Sequence, residues 1–178
     1  MPLLVLYGSE TGTSQDLAEQ IWREGYRRNV PVKVMSFDDF DMNVSLLFCS
    51  FEVSHSLFQT LPQQDFVIFL VSTSGQGELP VNMRKNWKKL LNARIPLNWL
   101  DSLKIACFGL GDSSYQKYNF AAKKVVRRLL QLSANLVLPT VFGDDQNELG
   151  PYGIFDQFLA FIWKYLMDNS IFTVNRKF

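Results

Sequence analysis

The chain has 178 residues, 47% hydrophobic and 20% charged, with 18 Lys+Arg against 17 Asp+Glu. That length suits one domain and that composition excludes a disordered chain; a net charge of +1 gives no reason to expect nucleic acid or an anionic membrane as partner. Two cysteines, Cys49 and Cys107, and a single histidine, His55, stand at no metal-ligand spacing, which argues against a zinc site or a disulfide scaffold.

The N-terminus lacks the basic region and small-residue cleavage site of a secretory signal. Apolar windows fall short of the ~20 residues a spanning helix needs, so no membrane span is expected and a reducing cytoplasm is the expected location. Residues 3–7 open the chain as an apolar strand and pass through a loop into a helix over 16–28, with Leu17, Ile21 and Trp22 on one face. A second strand follows at 32–37 and a third at 66–71, then a more polar helix at 81–91 and a fourth strand at 105–110. A helix over 120–132 repeats through Val125, Leu129 and Leu132; a fifth strand is expected at 136–142; and a last helix over 155–166 repeats through Phe158, Leu159 and Ile162.

Several strand runs are apolar without a polar alternate, as expected of parallel strands covered on both faces. Strand and helix in alternation imply right-handed βαβ units and an open, doubly wound sheet of five parallel strands. Ligands of such sheets bind beyond the carboxyl ends of the strands, and the loops found there are rich in glycine and hydroxyls.

The first of these loops offers the hydroxyls of Ser9, Thr11, Thr13 and Ser14 around Gly12 at the start of a helix, an anion cradle that needs no lysine. Helix capping is the simpler account of that loop taken alone. Neither a Walker A loop nor a complete G-x-G-x-x-G is present, since Ser114 stands where a third glycine would follow Gly109 and Gly111. Tyr115 and Tyr118 are placed to stack on a planar ring, or equally to serve the core, and Gly75 and Gly77 allow close backbone approach or a plain turn.

Taken together, Ser9-Glu10-Thr11-Gly12-Thr13, Ser72-Thr73-Ser74-Gly75-Gln76-Gly77 and Leu110-Gly111-Asp112-Ser113-Ser114-Tyr115 followed by Tyr118-Asn119 resemble the three FMN loops of flavodoxin-like domains in diflavin reductases. The continuation through Lys123-Lys124, Arg127-Arg128 and Gly143-Asp144-Asp145-Gln146 is most similar to the NADPH-dependent diflavin oxidoreductases of cytosolic iron-sulfur protein assembly, with cytochrome P450 reductases next. The resemblance implies a flavodoxin-like sheet in the order 2-1-3-4-5 with helices on both faces, spanning residues 1–168.

It implies that Ser9, Glu10, Thr11, Gly12, Thr13 and Ser14 hold the FMN phosphate and that Ser72, Thr73, Ser74 and Gly75 border the isoalloxazine. Leu110, Gly111, Asp112, Ser113, Ser114, Tyr115, Gln116, Lys117, Tyr118 and Asn119 would wrap the other side, with Tyr115 the stacking ring and Asp145 near the ligand. Ser74 replaces a second tyrosine of the P450-reductase pattern, and backbone movement at Gly75 would supply a hydrogen bond to the ring's N5. No side chain is expected to be catalytic. FMN would receive electrons from the FAD of an FAD/NADPH reductase module and pass them to an iron-sulfur assembly acceptor protein; FAD and NADPH themselves would not bind to this stretch.

Asp38, Asp39, Glu78, Asp112, Asp144, Asp145 and Glu148 all follow strands, so an acidic rim is expected, suited to steering a basic partner. Lysines and arginines ride instead on helices, as a solvated face. Two stretches depart from the family pattern. Residues 44–59 open with Val-Ser and close with Phe-Gln, which GTAAGT and TTTCAG can encode, and are expected to be a retained in-frame intron whose removal joins Asn43 to Thr60. Genomic DNA lacking splice dinucleotides at those ends would contradict this; a genuine apolar loop or helix is the alternative. Asn43-Val44-Ser45 reads as an accidental glycosylation match. Residues 169–178 form an atypical tail, and the length leaves no room for an FAD/NADPH domain, so a truncated isoform, an incomplete gene model or an excised domain is expected, with a flavin-free interaction remnant as the alternative class.

Overall fold

In the computed structural model, which describes residues 2–42 and 60–171, the apolar runs form strands because only a sheet covered on both faces can bury them. β1 (Leu3–Gly8) leads into α1 (Thr13–Arg27), β2 (Val32–Ser36) and β3 (Phe66–Ser72). A 3-10 turn, Val81–Met83, then runs into α2 (Arg84–Leu90), followed by β4 (Lys104–Gly111) and α3 (Phe120–Gln131). Two short strands, β5 (Asn135–Leu136) and β6 (Val141–Asp144), precede α4 (Tyr152–Asp168). The sheet order is β2-β1-β3-β4-β5 and every pairing is parallel.

Alternation along each strand divides the interior into two cores. Leu4 and Leu6 of β1, Val67 and Phe69 of β3 and Cys107 of β4 share one core with Met83 of the 3-10 turn and Ala122, Val125 and Leu129 of α3. Leu3, Val5, Ile68, Leu70, Ala106 and Phe108 face the other way, against Leu17 and Ile21 of α1 and Phe155, Phe158, Ile162 and Trp163 of α4. Each Val, Leu, Ile and Phe among them contributes about 1.5–3 kcal/mol by leaving water, and the two helical layers hold the carboxyl ends of the strands in register. Burial pushes the Cys107 thiol up to about 12, so it packs as an inert small hydrophobe.

Three expectations need correction. The fifth strand is split: β5 pairs with the start of β4 at Lys104 and Ile105, and β6 with its end from Phe108 to Gly111. Pro139 lies in the gap and has no N–H to give the ladder. The helix expected over 81–91 is broken at Asn82, whose ψ of 15° is not helical. Trp22 does not share the buried face of α1 with Leu17 and Ile21; it is half exposed and stacks on Tyr26. The segment 44–59, with Cys49 and His55, and residues 172–178 of the tail lie outside the described residues. No helix among the described residues is long and apolar enough to cross a membrane.

Candidate functional site

The loops after β1, β3 and β4 converge on one cleft of about 440 Å³ at the carboxyl edge of the sheet, within the size range of small-ligand sites. From the first loop it is lined by Glu10, Thr11 and Thr13; from the second by Ser72, Thr73, Ser74, Gly75 and Gln76. Leu110, Gly111, Asp112, Tyr115, Lys117, Tyr118 and Asn119 line it from the third, and Asp145 closes it from the end of β6.

Ser9, Gly12, Ser14, Ser113, Ser114 and Gln116 are not among the lining residues. Ser9 shapes the first loop from within, its Oγ accepting the Gly12 N–H at 2.9 Å while its own N–H donates to Asn82 Oδ1 at 3.0 Å. Gly12 caps α1, whose first backbone bond runs from Asp16 N–H to Gly12 C=O at 2.9 Å, so the amides of Thr13, Ser14 and Gln15 precede the helical ladder. Ser14 is fully buried beneath that turn. Glu10 reaches across the cleft, its carboxylate accepting from Ser74 Oγ at 3.3 Å and Val81 N–H at 3.4 Å.

The second loop is a tight turn. Ser74 and Glu78 exchange two backbone hydrogen bonds of 2.9 and 2.8 Å, enclosing Gly75, Gln76 and Gly77. Gly75 and Gly77 have φ of +46° and +82°, the left-handed region that side chains resist. Thr73 N–H donates to the Leu110 carbonyl at 2.9 Å, tying the second loop to the third.

Carboxylates brace the third loop. Asp112 accepts from Ser114 N–H at 2.8 Å and Gln146 Nε2 at 2.9 Å; Asp144 accepts from the N–H groups of Ser113 and Gln146 at 3.0 Å each. These bonds, led by the serines, hold both carboxyls below the usual range. Asp145 is pushed the other way, by burial first and then by the charges of Asp112 and Asp144. Ser113, Ser114 and Gln146 therefore shape the loop by satisfying carboxylates. Tyr118 hydrogen-bonds the carbonyls of Phe142 and Gly143 at 3.2 and 3.3 Å, while Tyr115 is 63% exposed at the mouth, with a ring face open to a ligand.

The predicted acidic rim is smaller than the strand ends suggested. Asp38 caps α2, accepting from the N–H groups of Lys85 and Asn86, and Asp39 pairs with the hydroxyl of Ser36, so neither lines the cleft. Glu78 sits 3.2 Å from Arg84. Nor are three of the four basic residues of α3 simply solvated. Lys123 Nζ donates to Tyr118 O, Lys124 Nζ to Gly77 O, and Arg128 Nε to Leu90 O, at 2.7–2.8 Å. Gln76 joins the lining although no role was expected of it; its place between Gly75 and Gly77 was the available signal.

A cleft bounded by loops after β1 and β3, in a sheet of order 2-1-3-4-5, is the ligand site of the flavodoxin-like class, whose cofactor is FMN. The sequence matches the flavodoxin family over residues 5–152, and the chain belongs to that family. It is 46% identical to NADPH-dependent diflavin oxidoreductase 1 of Danio rerio over 91% of this chain and 24% of that one. To the protein of the same name from Arabidopsis thaliana it is 38% identical over 99% of this chain and 25% of the other, so it spans about a quarter of the length of these relatives. Oxidised flavodoxin 1 from Bacillus cereus superposes with a TM-score of 0.67 at 25% identity, covering 93% of this chain and 99% of that one.

The residues present fit such a cofactor. Among the described residues, five buried side-chain atoms lack a hydrogen-bond partner, and two of them, Thr73 Oγ1 and Asn119 Oδ1, belong to residues that line the cleft, while those of Ser14, Asn86 and Trp163 do not. An unpaired buried polar atom costs about 1–3 kcal/mol, and at Thr73 Oγ1 a polar ligand in the cleft would remove that cost; Asn119 Oδ1 lies instead against Gly109. No group of metal-ligating side chains occurs among the described residues.

Proposed function

We propose that this chain is the FMN-binding electron-transfer module of an NADPH-dependent diflavin reductase. It takes electrons from the FAD of an NADPH-oxidising module and passes them to an acceptor protein of cytosolic iron-sulfur cluster assembly. The module spans residues 1–168 and works in the cytoplasm, with 44–59 as an inserted segment and 169–178 as a tail. The observation that carries the reading is the convergence of hydroxyl-rich loops, an orphaned buried hydroxyl and one exposed tyrosine on a single cleft. Identity to diflavin oxidoreductases across nearly the whole chain supports the place of that cleft in a longer electron path.

Bound FMN supplies one-electron redox chemistry between a two-electron donor and a single-electron acceptor. The chain supplies position. Amides at the start of α1, with the hydroxyls of Thr11 and Thr13, hold the phosphate by hydrogen bonds and helix dipole. Tyr115 and the Ser74–Glu78 turn would hold the ring, and Thr73 would hydrogen-bond at its polar positions, with Asn119 fixing the wall behind them through its bond to the Gly143 carbonyl. Glu10, Asp112 and Asp145 leave the mouth acidic, which favours approach of a basic partner.

Adding FMN to the purified chain and following flavin fluorescence tests the reading: quenching that saturates at one FMN per chain is expected, and its absence would refute the assignment. Coverage of nearly all of a Bacillus flavodoxin favours a second reading, a free-standing carrier. Reduction of the FMN-loaded chain by a diflavin-type FAD/NADPH module, and not by an unrelated ferredoxin reductase, separates the two.

A further inference from the structure

The two glycines of the second loop are in unlike surroundings. A Cβ built on Gly75 meets nothing within 4 Å, whereas one built on Gly77 meets Lys117 Cβ at 2.9 Å and Phe120 Cβ at 3.1 Å. Beside that packed end, the part-buried Lys124 ammonium donates to the Gly77 carbonyl at 2.8 Å, from a residue 47 positions further along the chain. Its neighbour Lys123, pointing about 100° away around α3, donates to the Tyr118 carbonyl at 2.8 Å and lies 5.2 Å from the Phe142 ring centre. Adjacent lysines of one helix thus hold two different loops of the cleft.

We propose that Lys124 is a positioning residue for the flavin, an inference that rests on the FMN reading above. A charged donor on a backbone carbonyl is the stronger kind of hydrogen bond, and with Gly77 also packed against Lys117 and Phe120 it fixes one end of the turn. Rotation of the backbone is thereby confined to the Gly75 end, where the space is open. The ammonium also brings a fixed positive charge to the turn that borders the ring, which favours the reduced, more negative cofactor. Lys124 therefore sets both the geometry of the turn and the ease with which bound FMN accepts electrons.

The test compares the whole chain with Lys124→Met, which keeps the apolar stem and removes the donor, Lys124→Arg, which restores a donor, and Arg127→Met. Arg127 lies on the same helix with no hydrogen bond or ion pair to a described residue, so the last variant loses equal charge without touching the turn. Amide hydrogen exchange at Glu78, whose N–H donates to the Ser74 carbonyl, is measured without FMN, and FMN affinity and midpoint potential with it. The expected result for Lys124→Met is about tenfold faster exchange, weaker FMN binding and a lowered potential. Lys124→Arg returns all three toward wild type, and Arg127→Met leaves exchange unchanged. Exchange at the turn that does not change in Lys124→Met overturns the proposal, as does a potential that falls equally in Arg127→Met. Wild-type protein that binds no FMN refutes the flavin reading itself, and is seen before any variant is compared.

Discussion

On the α1 side of the cleft the loop is held by its own short side chains, Ser9 on Gly12 and Thr11 beside Thr13 at 3.4 Å, with no cation among the loop residues. On the α3 side the loops are held by charged groups, the ammonium groups of Lys123 and Lys124 from the helix, the carboxylate of Asp144 from β6 and that of Asp112 within the loop itself. The first construction leaves helix N-terminal amides without intrahelical partners, which suits a small anion. The second gives a braced platform with one exposed ring, which suits a flat conjugated system. One cleft is thus made of two unlike halves, each matched to one end of a phosphorylated flavin.

The largest effect is expected from breaking the α3 side at its base. A Cβ at Gly109 would meet Asn119 Oδ1 at 2.6 Å and Ala122 Cβ at 2.8 Å, so Gly109→Ala must push α3 away from β4. Overpacking of this kind costs about 1–3 kcal/mol; urea unfolding should show that loss, and fluorescence titration should show FMN binding weakened with it because Asn119 moves. A smaller, purely local effect is expected from Tyr115→Ala. Stacking contributes about 0.5–1.5 kcal/mol, so affinity for FMN should fall roughly two- to twelvefold, while the melting temperature of the free protein stays where it was because the ring is exposed.

The smallest effect is one of pH. Asp145 holds its proton more tightly when folded than a free carboxyl does, owing to burial and the charges of Asp112 and Asp144. Ionising it therefore costs stability as pH rises from the ordinary carboxylate value through the raised folded one. Asp145→Asn should raise the melting temperature at pH 7, and the gain should disappear below about pH 4. Asp112 and Asp144, held low, act oppositely: their contribution is present above the ordinary carboxylate value and is lost as pH falls through their folded values.

Much of the fold was legible because buried parallel strands and amphipathic helices leave strong periods: Val125 and Leu129 fall on the buried face of α3, with Leu132 buried at its C-cap, and Phe158, Leu159 and Ile162 fall on that of α4. The split of the last strand was less so, since Val137 and Leu138 continue the apolar run and only Pro139 marks the break. In the site, loop membership could be read from glycine and hydroxyl content, but not which loop residue points inward. Ser14 is buried under the helix turn, and the Ser113 and Ser114 N–H groups bind carboxylates of the loops, outcomes set by partners 2 and 31 positions away or by packing. The roles of Lys123 and Lys124 were hidden for the same reason. A basic pair on a helix looks solvated until the topology brings the carbonyls of Tyr118 and Gly77 within reach.

The most direct measurement is a paired titration of the chain with FMN and with riboflavin, followed by flavin fluorescence, with inorganic phosphate as competitor. Two halves serving two ends of one cofactor predict saturable quenching by FMN, weaker binding of riboflavin through the α3 side alone, and competition by phosphate against FMN but not against riboflavin. Equal affinity for the two flavins, with phosphate without effect, would contradict the division of the cleft.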